Sequence, residues 1–313
     1  VETTGLDGIT LQSMGGIVLD GLSMQALNNG VVLVQNAVTL SGSDVLLEAQ
    51  GSGDVTLQQI DGEQALTLNA DTGNLYLQAA IGGIAGVGAF NLNGNLSQVM
   101  ANIQSAGYTI DFQSPVQLGA DVSVSSGHGD LHFAQSIDGE FMLTLDTASA
   151  LTLDAAIGSV APLSGLRASA QQLVVSSSVA VKSQGVELLS ANEMTLAGAW
   201  TTTDGGAVTL TNQGILQWGN GVDMDLDGSF LQNGLGEVAL AGNIFTNSKA
   251  ILFQGPIVLH DDVDLKTSEG LGDITLEKTV NGSNDLTLLA GTGVVNFKQQ
   301  IGNFTPLLRL QIG

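Results

Sequence analysis

The stretch "GSGDVTLQQIDG" at residues 51–62 recurs as "GHGDLHFAQSIDG" at 127–139 and "GLGDITLEKTVNG" at 270–282. Laid on one another, the copies keep their apolar positions and vary the polar ones. Val55 and Leu57, Leu131 and Phe133, Ile274 and Leu276 are matched pairs, each split by one residue: Thr56, His132 and Thr275. Such period-2 alternation predicts a strand with one buried face. A further apolar residue then precedes a turn signal: Ile60 before Asp61-Gly62, Ile137 before Asp138-Gly139, Val280 before Asn281-Gly282.

The pattern returns within each copy. Leu75-Tyr76-Leu77, Leu151-Thr152-Leu153 and Val295-Asn296-Phe297 lie 20, 20 and 21 residues beyond the first strand and lead to Ile81-Gly82, Ile157-Gly158 and Ile301-Gly302. Another strand stands between: Leu66-Thr67-Leu68, Leu143-Thr144-Leu145, Leu286-Thr287-Leu288. A return of about 20 residues with two or three short strands is one coil of a parallel β-helix, whose coils stack at about 4.8 Å. A sandwich of Asn-Gly and Asp-Gly hairpins gives similar local signals but no reason for a fixed return. The expectation is an all-β, parallel β-helix solenoid, about 20 residues per coil and roughly 15 coils, forming a single rod over residues 1–313. Residues 96–104, "LSQVMANIQ", break the alternation. Leu96, Met100 and Ile103 fall at helical spacing and predict a short helical decoration.

Larger blocks repeat as well, with "LVQNAVTL" (33–40), "DFQSPVQL" (111–118) and "LFQGPIVL" (252–259) ahead of the three phrases. Hydrophobic residues are 43% of the chain but aromatics only 4%, and 42 residues are glycine, so the core is aliphatic and the chain rich in turns. Seven Lys and Arg face 30 Asp and Glu, for a net charge of -23, which repels nucleic acid and anionic membranes. Cysteine is absent, so disulfides and thiolate metal sites are excluded. No apolar run is long enough for a membrane helix. The chain opens at Val1 and closes on the repeat-like "LRLQIG", which suggests a processed product or part of something longer.

The style of these phrases, with "APLSGL" at 161–166 and "TPLLRL" at 305–310, resembles the repeat region of filamentous-haemagglutinin-like bacterial surface proteins over most of residues 30–313. That resemblance implies a right-handed parallel β-helix, export to the cell surface or beyond, and a role in adhesion or in an extended fibre. The Asn-Pro-containing secretion cap of such proteins is not seen, in keeping with an internal fragment. The Gly-x-Gly-Asp motifs at 51, 127 and 270 stand singly, unlike a tandem calcium-binding β-roll.

Several clusters invite chemistry. Asp223, Asp225 and Asp227 in "VDMDLDG" alternate along one side of a strand and could hold calcium, although a solvated outer face opposite Met224 and Leu226 explains them as well. "HDDVD", His260 to Asp264, carries Asp261 and Asp262, which could serve as acid and base of a polysaccharide hydrolase. That chemistry wants sugar-stacking aromatics beside the acids, and Trp200, Trp218, Tyr76 and Tyr108 have no evident link to them. A lyase would need a cationic clamp, but the arginines, Arg167 and Arg309, sit in the "PL" segments and read as snorkelling surface residues. His128 and His132 are four apart, a metal-ligand spacing, yet one lies in a Gly-x-Gly turn and the other replaces an outward Thr. The outward series Thr56, Tyr76, His132, Thr152, Thr275, Asn296 is too mixed for an ice-binding lattice.

The expectation is therefore a non-catalytic structural or adhesive rod of a bacterial surface or extracellular fibre, using no cofactor. Its partners would be itself, by end-to-end coil stacking, or the rest of a longer β-helical chain, with surface glycans as further ligands. The alternative is a carbohydrate-active β-helix enzyme using Asp261 and Asp262.

Overall fold

Where Val, Leu or Ile alternates with a polar residue, the chain forms strands whose apolar side is buried and whose polar side faces out, except at the last strands, Val295–Phe297 and Arg309–Ile312, whose apolar residues are half-buried or exposed. In the computed structural model, which describes residues 2–3, 8–219 and 221–313, these strands run parallel and stack into a β-solenoid, with no helix among the described residues. The repeat is about 21 residues, and there are about 14 coils. Contacts group the chain into two compact units, residues 1–155 and 156–313.

In the first unit three ladders run side by side. One stacks Ile9–Leu11, Val32–Val34, Val55–Leu57, Asn74–Leu77, Leu96–Val99, Val116–Leu118 and Ile137–Asp138. The next begins with Ile17–Asp20, Val38–Ser41 and Ile60–Asp61 and continues through Ile81 and Ile103 to Val122–Gly127 and Met142–Thr147. The third carries Ser23–Ala26, Val45–Ala49, Leu66–Asn69, Phe90–Asn93, Ile110–Phe112, Leu131–Phe133 and Ala150–Leu153. The expected registers hold: Leu75 pairs with Val55 and Leu151 with Leu131.

The second unit is built the same way, and Val295 pairs with Ile274 as expected. Its first coils are made by two long strands, Leu163–Val175 and Val179–Leu196, which pass through corners without breaking. Runs such as Ser-Ala-Gln-Gln and Ser-Ala-Asn-Glu, which hold no glycine, bend the strand there, so sequence alternation persists where turn signals fade.

In each unit the core is made of Leu, Ile and Val, stacked on their register partners one coil away. Aromatics join it in short stacks: Phe112 lies on Phe133 at 4.5 Å between centroids, and Phe230 packs between Trp218 and Phe253. Polar residues inside are paired, with Asp285 Oδ1 the one buried side-chain oxygen among the described residues that has no hydrogen-bond partner. In the second unit Gln232 Nε2 donates to Asn212 Oδ1 at 2.7 Å, and Gln232 Oε1 accepts the Gly255 amide at 2.8 Å.

Residues 96–104 correct the sequence reading. They form the strands Leu96–Val99 and Ile103–Gln104, not a helix. The inward residues are Ser97, Val99 and Ile103, while Met100 is exposed. A serine at an inward position hides the period of two; its hydroxyl is satisfied inside by Ser114 Oγ at 2.5 Å.

Candidate functional site

The repeated phrase is the most distinctive chemistry in the chain, and its polar residues act on the neighbouring coil. In each Gly-x-Gly-Asp the aspartate accepts the backbone amide at the start of a strand in the next coil. Asp54 takes the Asn74 amide at 2.8 Å, Asp130 that of Ala150 at 3.1 Å and Asp273 that of Val294 at 2.8 Å. The second glycine of the motif lies against the coil before it. A Cβ on Gly53, Gly129 or Gly272 would come within 2.2, 2.0 or 2.5 Å of backbone atoms of Gly30, Tyr108 or Lys249. Aspartate and glycine together form a clasp that fixes the spacing and rotation of successive coils.

The closing Asp-Gly or Asn-Gly makes a second clasp. Asp61 Oδ1 accepts the amides of Ile84 and Ala85 at 2.7 and 3.2 Å, and the Gly62 amide returns a bond to the Ala85 carbonyl. Asn281 Oδ1 does the same for Phe304 and Thr305 at 2.9 and 3.3 Å, with Gly282 bonded back to Thr305. Gly62 and Gly282 have φ of 119° and 128°, which only glycine adopts without strain. The loops held in this way carry Ile84 and Phe304 at exposed tips. Sequence reading took Asp61-Gly62 and Asn281-Gly282 as turns only. The signal for their second role was the Ile-Gly pair one coil later, at 81–82 and 301–302.

The acidic candidates are drawn into the same pattern. Asp223, Asp225 and Asp227 do point outward on one side of their strand, as their alternation requires. Asp223 accepts both the amide and the side-chain nitrogen of Asn243. Asp227 accepts Asn247 Nδ2 at 2.8 Å and the Gly205 amide at 2.7 Å, and those bonds, the first above all, hold its carboxyl below the usual carboxylate range. Asp225 faces a shallow groove with Thr201, Phe245 and Asn247. Asp262 caps the Asp285 amide at 2.8 Å in the next coil, and Asp261 caps the amide of Asp262. Asp264 pairs with Lys266 Nζ at 2.6 Å, and that ammonium lies over the Phe245 ring.

His128 and His132 are not brought together on a common ligand. His128 is exposed, whereas His132 lies between two carboxylates from the coils on either side. Its Nδ1 is 2.8 Å from Asp111 Oδ1 and its Nε2 is 2.9 Å from Asp154 Oδ2. The two acids sit on opposite nitrogens of the ring, so they do not converge on a point where a cation could be held. Among the described residues no group of three or more His, Asp and Glu could hold a metal ion.

Trp200 and Trp218 are buried, with their indole N–H groups on the carbonyls of Ala197 and Val222, and cannot stack on a sugar. Tyr108 is exposed, and the Tyr76 hydroxyl accepts Asn74 Nδ2 at 3.2 Å. Arg167 and Arg309 pair across coils with Glu187 and Asp285. Among the described residues no helix is long and apolar enough to cross a membrane.

Fold and clasps define a parallel β-solenoid repeat protein. Compared with known protein families, characterised proteins and solved structures, the chain matches none of them.

Proposed function

We propose that the chain is a non-catalytic structural or adhesive rod of a bacterial cell surface or extracellular fibre. The observation that carries this reading is the use of the repeated phrase. Its glycines, aspartates and asparagines are spent on holding one coil to the next. The haemagglutinin-repeat style of residues 30–313 supports a surface location, and the net charge of -23 disfavours anionic partners.

Within this reading, stacking of copies end to end would be made through strands such as Arg309–Ile312. Leu310 and Ile312 pair in register with Leu286 and Leu288. They are 39% and 53% exposed, where the residues beneath them are 2% and 0%. An open solenoid end presents unpaired strand edges and apolar side chains together. A further coil, from a longer chain or from a second copy, would cover both. Electron microscopy of the purified chain over a range of concentration tests this: filaments of uniform width that lengthen with concentration are expected of a self-stacking subunit. Isolated short particles at all concentrations, with turnover of a polysaccharide lost in Asp262→Asn, would replace the reading with an enzymatic one.

A further inference from the structure

All seven Lys and Arg lie beyond residue 155, whereas sixteen of the 30 acids lie within residues 1–155. The first unit therefore carries a large excess of carboxylates, and its only basic side chains are His128 and His132. His132 is placed where a cation is needed.

A neutral imidazole has one N–H and one lone pair. Two ionised carboxylates can only accept, so a ring with a carboxylate on each nitrogen, at 2.8 and 2.9 Å, requires both nitrogens to donate. The arrangement is complete only for imidazolium. The three residues come from successive coils: Asp111 from the strand Ile110–Phe112, His132 from Leu131–Phe133, and Asp154 directly after Ala150–Leu153.

Among the described residues, the polar groups near the ring come from three coils. From the preceding coil come Asp111 and Gln113, whose Nε2 donates to both Asp111 oxygens at 2.8 Å. From the following coil come Thr152, the register partner of His132, and Asp154. On its own coil Asp130 is occupied by Ser149 and the Ala150 amide. No Lys or Arg within residues 1–155 can substitute for the imidazolium.

We propose that His132 is a protonation-dependent clamp that ties three successive coils of the first unit together and is released as the ring loses its proton. Partial burial works against the charged ring, but the hydrogen bonds to Asp154 and Asp111 and the charges of both acids outweigh it, and the ring titrates above its ordinary value. A group whose pKa is raised by folding contributes its full stabilisation below the unfolded value, about 6.5 for histidine, and loses it as pH rises through the folded value. The clamp is thus closed in mildly acidic surroundings and open in alkaline ones. On release, Asp111 and Asp154 keep their charges with no cation between them.

The test uses the full chain labelled with 15N and 13C, read by NMR. The His132 titration midpoint is compared with that of the same chain in urea, and amide exchange of residues 110–113, 131–134 and 150–154 is followed across that pH range, corrected for intrinsic rates. The expected result is a His132 midpoint above that of the unfolded chain. Protection of these amides should drop several-fold as pH passes through it, and His132→Gln should abolish that dependence. If His132→Gln does not fold, Asp154→Asn serves: one bond is weakened, so the midpoint moves towards the unfolded value and the pH dependence becomes shallower. A wild-type midpoint at or below the unfolded one would overturn the clamp. So would a pH dependence equal in the wild type and the variants.

Discussion

The aspartate of Gly-x-Gly-Asp is needed for its oxygen, not its charge. Asn243 shows the equivalence, because its Oδ1 holds the Asp264 amide at 2.8 Å as an aspartate does elsewhere. Asp54→Asn should therefore leave stability within about 0.5 kcal/mol, whereas Asp54→Ala, which orphans the Asn74 amide, should cost about 1–3 kcal/mol in urea unfolding. Calcium held by that carboxylate would reverse the expectation for asparagine. The neighbouring glycine is stricter. Gly129→Ala places a methyl carbon 2.0 Å from the Tyr108 carbonyl carbon, which the backbone can relieve only by parting two coils. Its cost should exceed that of Gly205→Ala, where a Cβ meets nothing within 4 Å and only the positive φ of 82° is at stake, about 1 kcal/mol.

Strands follow from which residues face inward, and Ser97 illustrates how a strand can hide. With Ser114 it forms a closed polar pair in an apolar interior. Ser97→Ala leaves the partner hydroxyl buried and unpaired, at about 1–3 kcal/mol, while Ser97→Ala with Ser114→Ala should recover most of that in chemical denaturation. The same pair explains what could be read from the sequence. Where Leu and Val mark the inward positions, as at Val55, Leu75, Leu131 and Leu151, both the strands and their partners one coil on were legible. Where serine marks one, a chance spacing of Leu96, Met100 and Ile103 looked helical. The clasps were half legible, because Asp-Gly announces a turn but not that its carboxylate reaches the next coil. The face of the solenoid was not legible at all. The phrase at 51–62 lies on the ladder of Ile9, yet that at 127–139 begins one ladder over, on the strand paired with Ile110–Phe112. The phrase encodes a strand, a corner and its clasps, and any corner will do. His132 was seen as an outward residue, but its carboxylates stand 21 and 22 positions away, a distance that has meaning only once coil length is known.

At the scale of the whole molecule the distribution of charge matters most. Residues 1–155 repel themselves through sixteen acids with no Lys or Arg. Raising NaCl from 0.01 to 1 M shortens the screening length from about 30 Å to about 3 Å. The midpoint of thermal unfolding should rise, and amide protection in residues 1–155 should gain more than in 156–313, where seven bases already offset part of the charge.

Strand partners one coil apart also set how such a chain can change its length. In the second unit Phe230 lies on Val208 and Ile251 on Phe230. Excising residues 230–250 would bring Ile251 onto Val208, with every later residue finding an equivalent seat. Removing half that number would seat later residues on a different part of the coil, so strands would meet corners and the register of one coil on the next would be lost. Loss or gain of a whole coil in one genetic event is therefore expected to leave a chain that still folds, so its viable lengths should form a ladder with a rung every 21 residues or so.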